Sequence, residues 1–581
     1  MITLRHLIAL GGGGAALLAA AFLAAAPAAA QSAPVVDAPA GALRGEARGD
    51  LRIFRGIPYA QPPVGSRRWR PPAPMARWPG TRDATRFGAA CVQPIPRAVS
   101  IYTNPLPEMN EDCLFLNIWA PAGARHAPVL VWIHGGALSG GASSEALYDG
   151  ARLATRGIVL VSINYRLGIL GYLAHPGLSA ESPDHVSGNY GLLDQIAALR
   201  WVNRNIAAFG GDPANVTIAG ESAGGLSVMY LMAAPQARGL FARAIAQSAY
   251  MVSAPALRDS PYGDPPAETV GARLAAGLGA NDVAALRAMD AAALVNGSAA
   301  VGYFPFLTID GHVLTRQLVD TFDRGEQARV PLLAGFNSGE IRSLRILAPP
   351  VPADAATYET QIRARYGELA TAFLQLYPAN EMAESVLKTT RDALYGWTAE
   401  RLAAKQAALG APSFLYLFDH PYPAADAAGL HAFHASEIPY VFGNADRTPA
   451  HWPRIPETPA EAALSDAMVS YWTSFARDGV PTAAGQPRWR PYAEGRAYMD
   501  FADVPRSATH VMPGMFETEG LTLEGIVIDG PVPPNDFPML ADGAGPAAPE
   551  VVARSIAFVL SLPDGVAINE LVIRPTGQLN P

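Results

Sequence analysis

The chain has 581 residues, 50% of them hydrophobic and only 16% charged, a composition that can bury a large core and excludes a disordered polymer. Length alone would suggest several domains, but α/β enzymes routinely form one large unit. With a formal net charge of -8 and no basic run anywhere, the sequence gives no reason to expect nucleic acid as a partner, since binding phosphates requires a basic surface.

Residues 1–30 read as a secretory leader, with Arg5, an apolar stretch from Leu7 to Ala25 broken by glycines, and Ala28-Ala29-Ala30 ahead of Gln31. That stretch approaches spanning length, yet four consecutive glycines and the A-x-A ending favour cleavage after Ala30 over a membrane anchor. The expectation is an exported protein, periplasmic or secreted, with no membrane span in its mature part. Residues 31–43 follow as an Ala/Pro-rich, flexible lead-in. Cys91 and Cys113 are the two cysteines, and in an exported protein such a pair is most simply one disulfide; two buried free thiols are the alternative. Closing that loop would stabilise the fold by about 3 kcal/mol on the chain-entropy model.

Val129-Leu130-Val131-Trp132-Ile133 is a continuous apolar run, as in a strand buried on both faces of a parallel sheet. His134-Gly135-Gly136-Ala137 comes next and matches an HGGG-type loop, whose backbone N–H groups reach a substrate carbonyl oxygen, except that Ala137 stands for the last glycine. Ile158–Ile163 is a second buried strand. A helix then opens at Asn189, with apolar positions at Leu192, Ile196, Leu199, Val202 and Ile206, and stops at Phe209-Gly210-Gly211-Asp212-Pro213. Val216-Thr217-Ile218-Ala219 feeds Gly220-Glu221-Ser222-Ala223-Gly224, the G-x-S-x-G pattern in which a strand turns sharply into a helix at an exposed serine. In isolation the pentapeptide could also be a helix start capped by its serine. In this helix–turn–strand–helix context Ser222 falls at a strand's carboxyl end, where open α/β sheets bind ligands.

From Pro255 to about Phe304 the chain is Ala-rich and weakly periodic, which suggests a helical insertion over the active site. A strand over Val330–Gly335 leads to Glu340. A serine hydroxyl needs a base to take its proton and a third group to orient that base. Eleven histidines compete for the first role, and two of them, His431 and His434, lie close together.

The string from Gly188 to Gly225, with Glu111-Asp112-Cys113-Leu114-Phe115-Leu116-Asn117-Ile118-Trp119-Ala120-Pro121, closely resembles the type-B carboxylesterase family. The resemblance runs from about Arg44 to Pro513 and implies a domain over 44–512 with the α/β-hydrolase fold: a large, mostly parallel sheet, helices on both faces, and insertions over the active site. It also implies hydrolysis of small-molecule carboxylic esters through an acyl-enzyme, with no metal and no cofactor. Carried over residue by residue, Ser222 would be the nucleophile. Glu340 would be the acid in its G-x-N-x-x-E context, with Ile341 where glycine is usual. His434 has the register of the base against Glu437-Ile438 and Tyr440-Val441-Phe442-Gly443, with His431 as runner-up. The oxyanion donors would be the N–H groups of Gly136, Ala137 and Ala223. Glu221 and Glu437 would form an acidic network around the imidazole or serve as structural hydrogen-bond acceptors, and Cys91 would pair with Cys113.

Cholinesterases hold a quaternary ammonium on a tryptophan in the first disulfide loop; between Cys91 and Cys113 this chain has Tyr102 and no tryptophan, so choline esters are not expected. A catalytically silent binding module is the alternative, since some members of this fold have lost the serine; the intact Ser, Glu and His favour the enzyme. Residues 513–581 depart from the esterase pattern. Val551–Ile556 and Ile568–Thr576 look like the closing segments of short-chain dehydrogenases, without that family's Gly-rich turn or Tyr-x-x-x-Lys pair ahead of them. They read as a fused fragment without oxidoreductase activity.

Overall fold

The computed structural model describes residues 33–95, 98–261 and 263–509. The expected leader (1–30) and the dehydrogenase-like tail (513–581) lie outside the described residues. A central sheet organises the rest. In chain order its strands are β1 (Glu46–Arg48), β2 (Leu51–Pro58), β3 (Phe115–Pro121), β4 (Ala127–Ile133), β5 (Val159–Ile163), β6 (Gly211–Glu221), β7 (Arg243–Gln247), β8 (Leu332–Asn337), β9 (Ser413–Phe418), β10 (Tyr498–Phe501) and β11 (Pro505–Ala508). Side by side they run β11-β10-β9-β8-β7-β6-β4-β5-β3-β2-β1. Every pairing from β5 through β4 and β6 to β10 is parallel, and the pairings at the two edges are antiparallel. The large, mostly parallel sheet is as expected.

The core follows from the two-residue period of a strand. Val129, Val131 and Ile133 of β4 enter one apolar cluster, and Leu130 and Trp132 enter the other. In β9, Leu415 and Leu417 join the first, while Phe414, Tyr416 and Phe418 join the second. Both faces are therefore dry, which is why β4 reads as unbroken apolar sequence. The helices Tyr190–Asn205 and Ala223–Ala233 cover the first face; Ile438–Phe442 and Pro459–Asp478 cover the second.

Two expectations need correcting. Residues 31–43 are not simply a lead-in: Val35–Ala38 and Gly41–Arg44 pair as an antiparallel hairpin, and Thr81–Asp83 adds a third strand. Val36 and Ala38 alternate inward with Val35 and Asp37 facing out, so a short half-buried strand is hidden in an Ala/Pro-rich composition. The strand expected over Val330–Gly335 begins two residues later, at Leu332, and continues to Asn337. The segment after Pro255 does contain helices, at Ala267–Gly277, Val283–Ala288 and Ala291–Ala300. Asp282 and Asp290 cap the latter two, and all three pack with Trp69, Ile169 and Leu173. Cys91 and Cys113 are joined in a disulfide. No helix among the described residues is long and apolar enough to cross a membrane.

Candidate active site

The strand β6 ends at Glu221 and a helix begins at Ala223, leaving Ser222 alone at the corner with φ 57° and ψ -123°. A non-glycine residue in this region costs of order 1–3 kcal/mol and persists only where its surroundings enforce it. Here they do so through backbone contacts. A Cβ on Gly224 would lie 2.0 Å from the Ile133 carbonyl oxygen, and one on Gly220 would lie 2.4 Å from the Gly224 carbonyl carbon. The Ser222 N–H donates to Gln247 O (3.0 Å), and its own carbonyl accepts from Leu226 N (2.8 Å). The serine side chain makes no capping hydrogen bond, so the reading of Ser222 as a mere cap does not describe this turn.

The loop after β4 stands against this corner. A Cβ on Gly135 would be 3.0 Å from Glu221 Oε2 and 3.1 Å from Ser222 Cβ. Gly136 (φ 101°), Ala137 (φ 54°) and Leu138 (φ 58°) are three successive residues with positive φ. Ala137 thus keeps the left-handed backbone that a glycine would adopt freely. Among the described residues no acceptor takes the N–H of Gly136 or Ala137, and Ala223, as a first helical residue, has the orphan amide of every helix start. His134 anchors the loop from below. Its ring stacks on Tyr165 at 4.6 Å, its carbonyl accepts from the Tyr165 hydroxyl (2.8 Å), and burial pushes its pKa down to about 4, so it stays neutral.

Glu340 opens a short helix just past the end of β8. It is fully buried; Oε1 accepts from Asn337 N at 2.9 Å, and Oε2 lies 2.5 Å from His434 Nδ1. The other ring nitrogen, Nε2, lies 3.1 Å from Glu221 Oε1, on the residue next to Ser222. That contact meets an ion-pair distance without hydrogen-bond alignment, and Glu221 Oε1 has no other partner among the described residues. Ser222 Oγ itself makes no hydrogen bond to His434 or to any other described residue. The structure therefore brings the expected acid and base together and sets the base beside the elbow, with the serine hydroxyl unengaged. Hydroxyl–imidazole bonds of this kind are often long in unliganded enzymes and tighten around substrate. His431 is elsewhere, half-exposed and paired with Asp426 at 2.5 Å, so the runner-up for the base is a surface group.

Glu437, expected in an acidic network or as a hydrogen-bond acceptor, sits behind the pair in a polar chain whose other members, Gln247, Asn337 and Trp472, the sequence reading did not assign. Its carboxylate accepts from Gln247 Nε2 (2.9 Å) and Asn337 Nδ2 (2.7 Å), and Trp472 Nε1 donates to Gln247 Oε1 (2.9 Å). Asn337 also donates to the Phe433 carbonyl (2.8 Å), tying the end of β8 to the histidine loop. The signal for Gln247 and Asn337 was present as polar residues closing the apolar strands β7 and β8, but nothing local indicated their partners. Burial, relieved in part by His434 and increased by the neighbouring carboxylates, raises the pKa of Glu221; burial and then Glu340 raise that of Glu437. Burial alone would lower His434, yet Glu221, Glu340 and Glu437 together hold it well above an ordinary histidine. The result is an imidazole surrounded by carboxylates, suited to carry a positive charge. Tyr395, in a π-helical turn over Asp392–Gly396, packs on the same ring at 5.4 Å.

A carboxylesterase family model matches residues 32–515. The fumonisin B1 esterase of Sphingopyxis macrogoltabida is 37% identical over 489 residues, covering 80% of this chain and 85% of that protein. The para-nitrobenzyl esterase of Bacillus subtilis (strain 168) is 35% identical, covering 79% and 93%. Among solved structures, a PNB esterase superposes with a TM-score of 0.71 at 33% identity, and the carboxylesterase EST55 of Geobacillus stearothermophilus at pH 6.2 with 0.70 at 34%. Each covers 82% of this chain and is itself 97% covered. With the sheet order, the elbow and these likenesses in hand, the chain belongs to the carboxylesterase family, and it is a carboxylic-ester hydrolase of the α/β-hydrolase fold.

Proposed function

We propose that the protein cleaves small-molecule carboxylic esters by acyl transfer on a Ser222, His434 and Glu340 triad. The reading rests on one observation above the others: His434 is held at Nδ1 by the buried Glu340 while Nε2 faces the elbow that carries Ser222. In the first half-reaction His434 takes the Ser222 proton as Oγ attacks the ester carbonyl carbon, and the imidazolium then protonates the leaving alkoxide. Water repeats the sequence on the acyl-enzyme, releasing the acid and restoring the serine. Glu340 fixes the ring tautomer and stabilises its cation. The amides of Gly136, Ala137 and Ala223 serve the oxyanion, each donor supporting about a hundred- to thousandfold in rate.

Ser222→Ala tests the assignment. It should abolish turnover of a short-chain nitrophenyl ester and labelling by a fluorophosphonate, and turnover at the parent rate would refute it. Labelling of the parent protein also decides against the silent-module alternative, for which Ser222 would stay inert in folded protein.

The relatives include hydrolases named for fumonisin B1, para-nitrobenzyl, phenmedipham and cocaine, so they support an ester or related acyl substrate without choosing its acyl and alcohol parts. A panel varying both parts is the direct test. We also propose export with removal of residues 1–30; the Cys91–Cys113 disulfide supports an oxidising destination. Mass spectrometry of the native protein should find Gln31 at its amino terminus, and a retained Met1 would overturn that.

A further inference from the structure

The loop closed by Cys91 and Cys113 contains a single aromatic residue, Tyr102. Its ring meets Trp452 edge-on at 5.9 Å, and Trp452 packs on Phe433, the neighbour of His434, at 4.8 Å. Its hydroxyl lies 2.9 Å from the His434 carbonyl oxygen and 2.7 Å from Ser343 Oγ. A phenol has one hydrogen and a carbonyl can only accept, so Tyr102 donates to His434 O and accepts from the Ser343 hydroxyl. Ser343 closes the four-residue helix that Glu340 opens. One oxygen, supplied by a distant disulfide loop, thus bridges the segment that carries the acid and the backbone of the base.

We infer that Tyr102 is a positioning residue for the Glu340–His434 pair, and that the Cys91–Cys113 disulfide supports ester hydrolysis through it; the inference rests on the triad proposed above. The phenol touches neither the expected nucleophile nor the imidazole nitrogens. It works on the two backbone segments whose separation sets the Nδ1–Glu340 contact. Rate is sensitive to such placement, since a shift of about 1 Å can cost on the order of a hundredfold. Closing the loop limits how far Tyr102 can withdraw, so opening the disulfide should weaken the same restraint.

The test is Tyr102→Phe in the full chain, which deletes the hydroxyl and keeps the ring. A fall in kcat of about tenfold is expected, with KM within about twofold of the parent and the acid limb of the pH–rate profile moved to lower pH as Glu340 loosens its hold on Nδ1. Mild reduction of the disulfide should lower the parent's kcat by a similar factor but change the Tyr102→Phe protein by less than about twofold, because the link is already cut. The inference is overturned if Tyr102→Phe keeps kcat within about twofold, or if reduction harms both proteins equally. It is likewise overturned if kcat, KM and Tm all worsen with the pH limb unmoved, the pattern of general loosening. Ser222→Ala run alongside separates the two readings. Retained turnover there removes the triad and this inference together, whereas a dead Ser222→Ala beside an unaffected Tyr102→Phe removes the inference alone.

Discussion

The nucleophile elbow and the acid–base pair hold their side chains by different means. At the elbow, Ser222 is forced into positive φ by backbone packed on backbone: Gly224 against Ile133, Gly220 against Gly224, and Ser222 N on Gln247 O. At the pair, Glu340 and His434 lie 94 residues apart in the chain; Glu340 is held by the Asn337 N–H and by His434 itself, while side-chain hydrogen bonds of Asn337 to Glu437 and to the Phe433 carbonyl tie the end of β8 to the histidine loop. The first arrangement is steric and local, and it leaves no room for an added atom. The second is electrostatic and long-range, and it tolerates changes of shape better than changes of charge.

Substitutions that keep shape and change charge should therefore hurt the pair in rate, and those that add atoms should hurt the elbow in stability. Glu340→Gln carries the largest expected effect, a loss of kcat of about a thousand- to ten-thousandfold in nitrophenyl ester turnover with the folded state retained. Loss of the fold there would erase the distinction. Gly224→Ala comes next. Its methyl would sit 2.0 Å from a carbonyl oxygen of a buried strand, so a destabilisation of about 3 kcal/mol or more is expected in thermal or denaturant unfolding. A variant as stable as the parent would contradict the steric account of the elbow.

Glu221→Gln probes the electrostatics that join the two regions. A histidine serves as base only when neutral, and the surrounding carboxylates favour its cation, so activity should rise with pH beyond an ordinary histidine range. Removing one anion lowers the histidine pKa, and the acid limb of kcat/KM should move to lower pH. Because Glu221 and His434 lie 3.1 Å apart, that limb belongs to the two groups jointly. An unmoved or alkaline-shifted limb would exclude Glu221 from the titration. The smallest effect is expected from Ala137→Gly. Relief of the left-handed backbone gains about 1 kcal/mol and the added freedom of the unfolded chain returns about half of it, for a net stabilisation of about 0.5 kcal/mol. Destabilisation by more than about that amount would mean that the alanine methyl makes contacts of its own.

The legibility of the site follows the same division. Ser222, the glycines beside it and the alternating core of β4 could be read from a few consecutive residues, because a tight strand-to-helix turn and a doubly buried strand each constrain their own sequence. Glu340 and His434 needed the resemblance to single them out among many acids and eleven histidines. The half-buried hairpin at 35–44 escaped notice because two inward residues in an Ala/Pro-rich stretch are too few to establish a period.

What the sequence determined by itself was the buried strands β4, β5 and β6 and, within two residues, β8, together with the serine at the corner and the glycines that make the corner possible, since steric exclusion acts over a few bonds. Only the tertiary structure put His434 in contact with Glu340 and His431 at the surface beside Asp426, let Gln247 and Asn337 share Glu437, and brought Tyr102 to the histidine loop. Those contacts join residues far apart in the chain. A hydrogen bond of about 3 Å exists only where the packed core brings donor and acceptor together, and no local pattern encodes it.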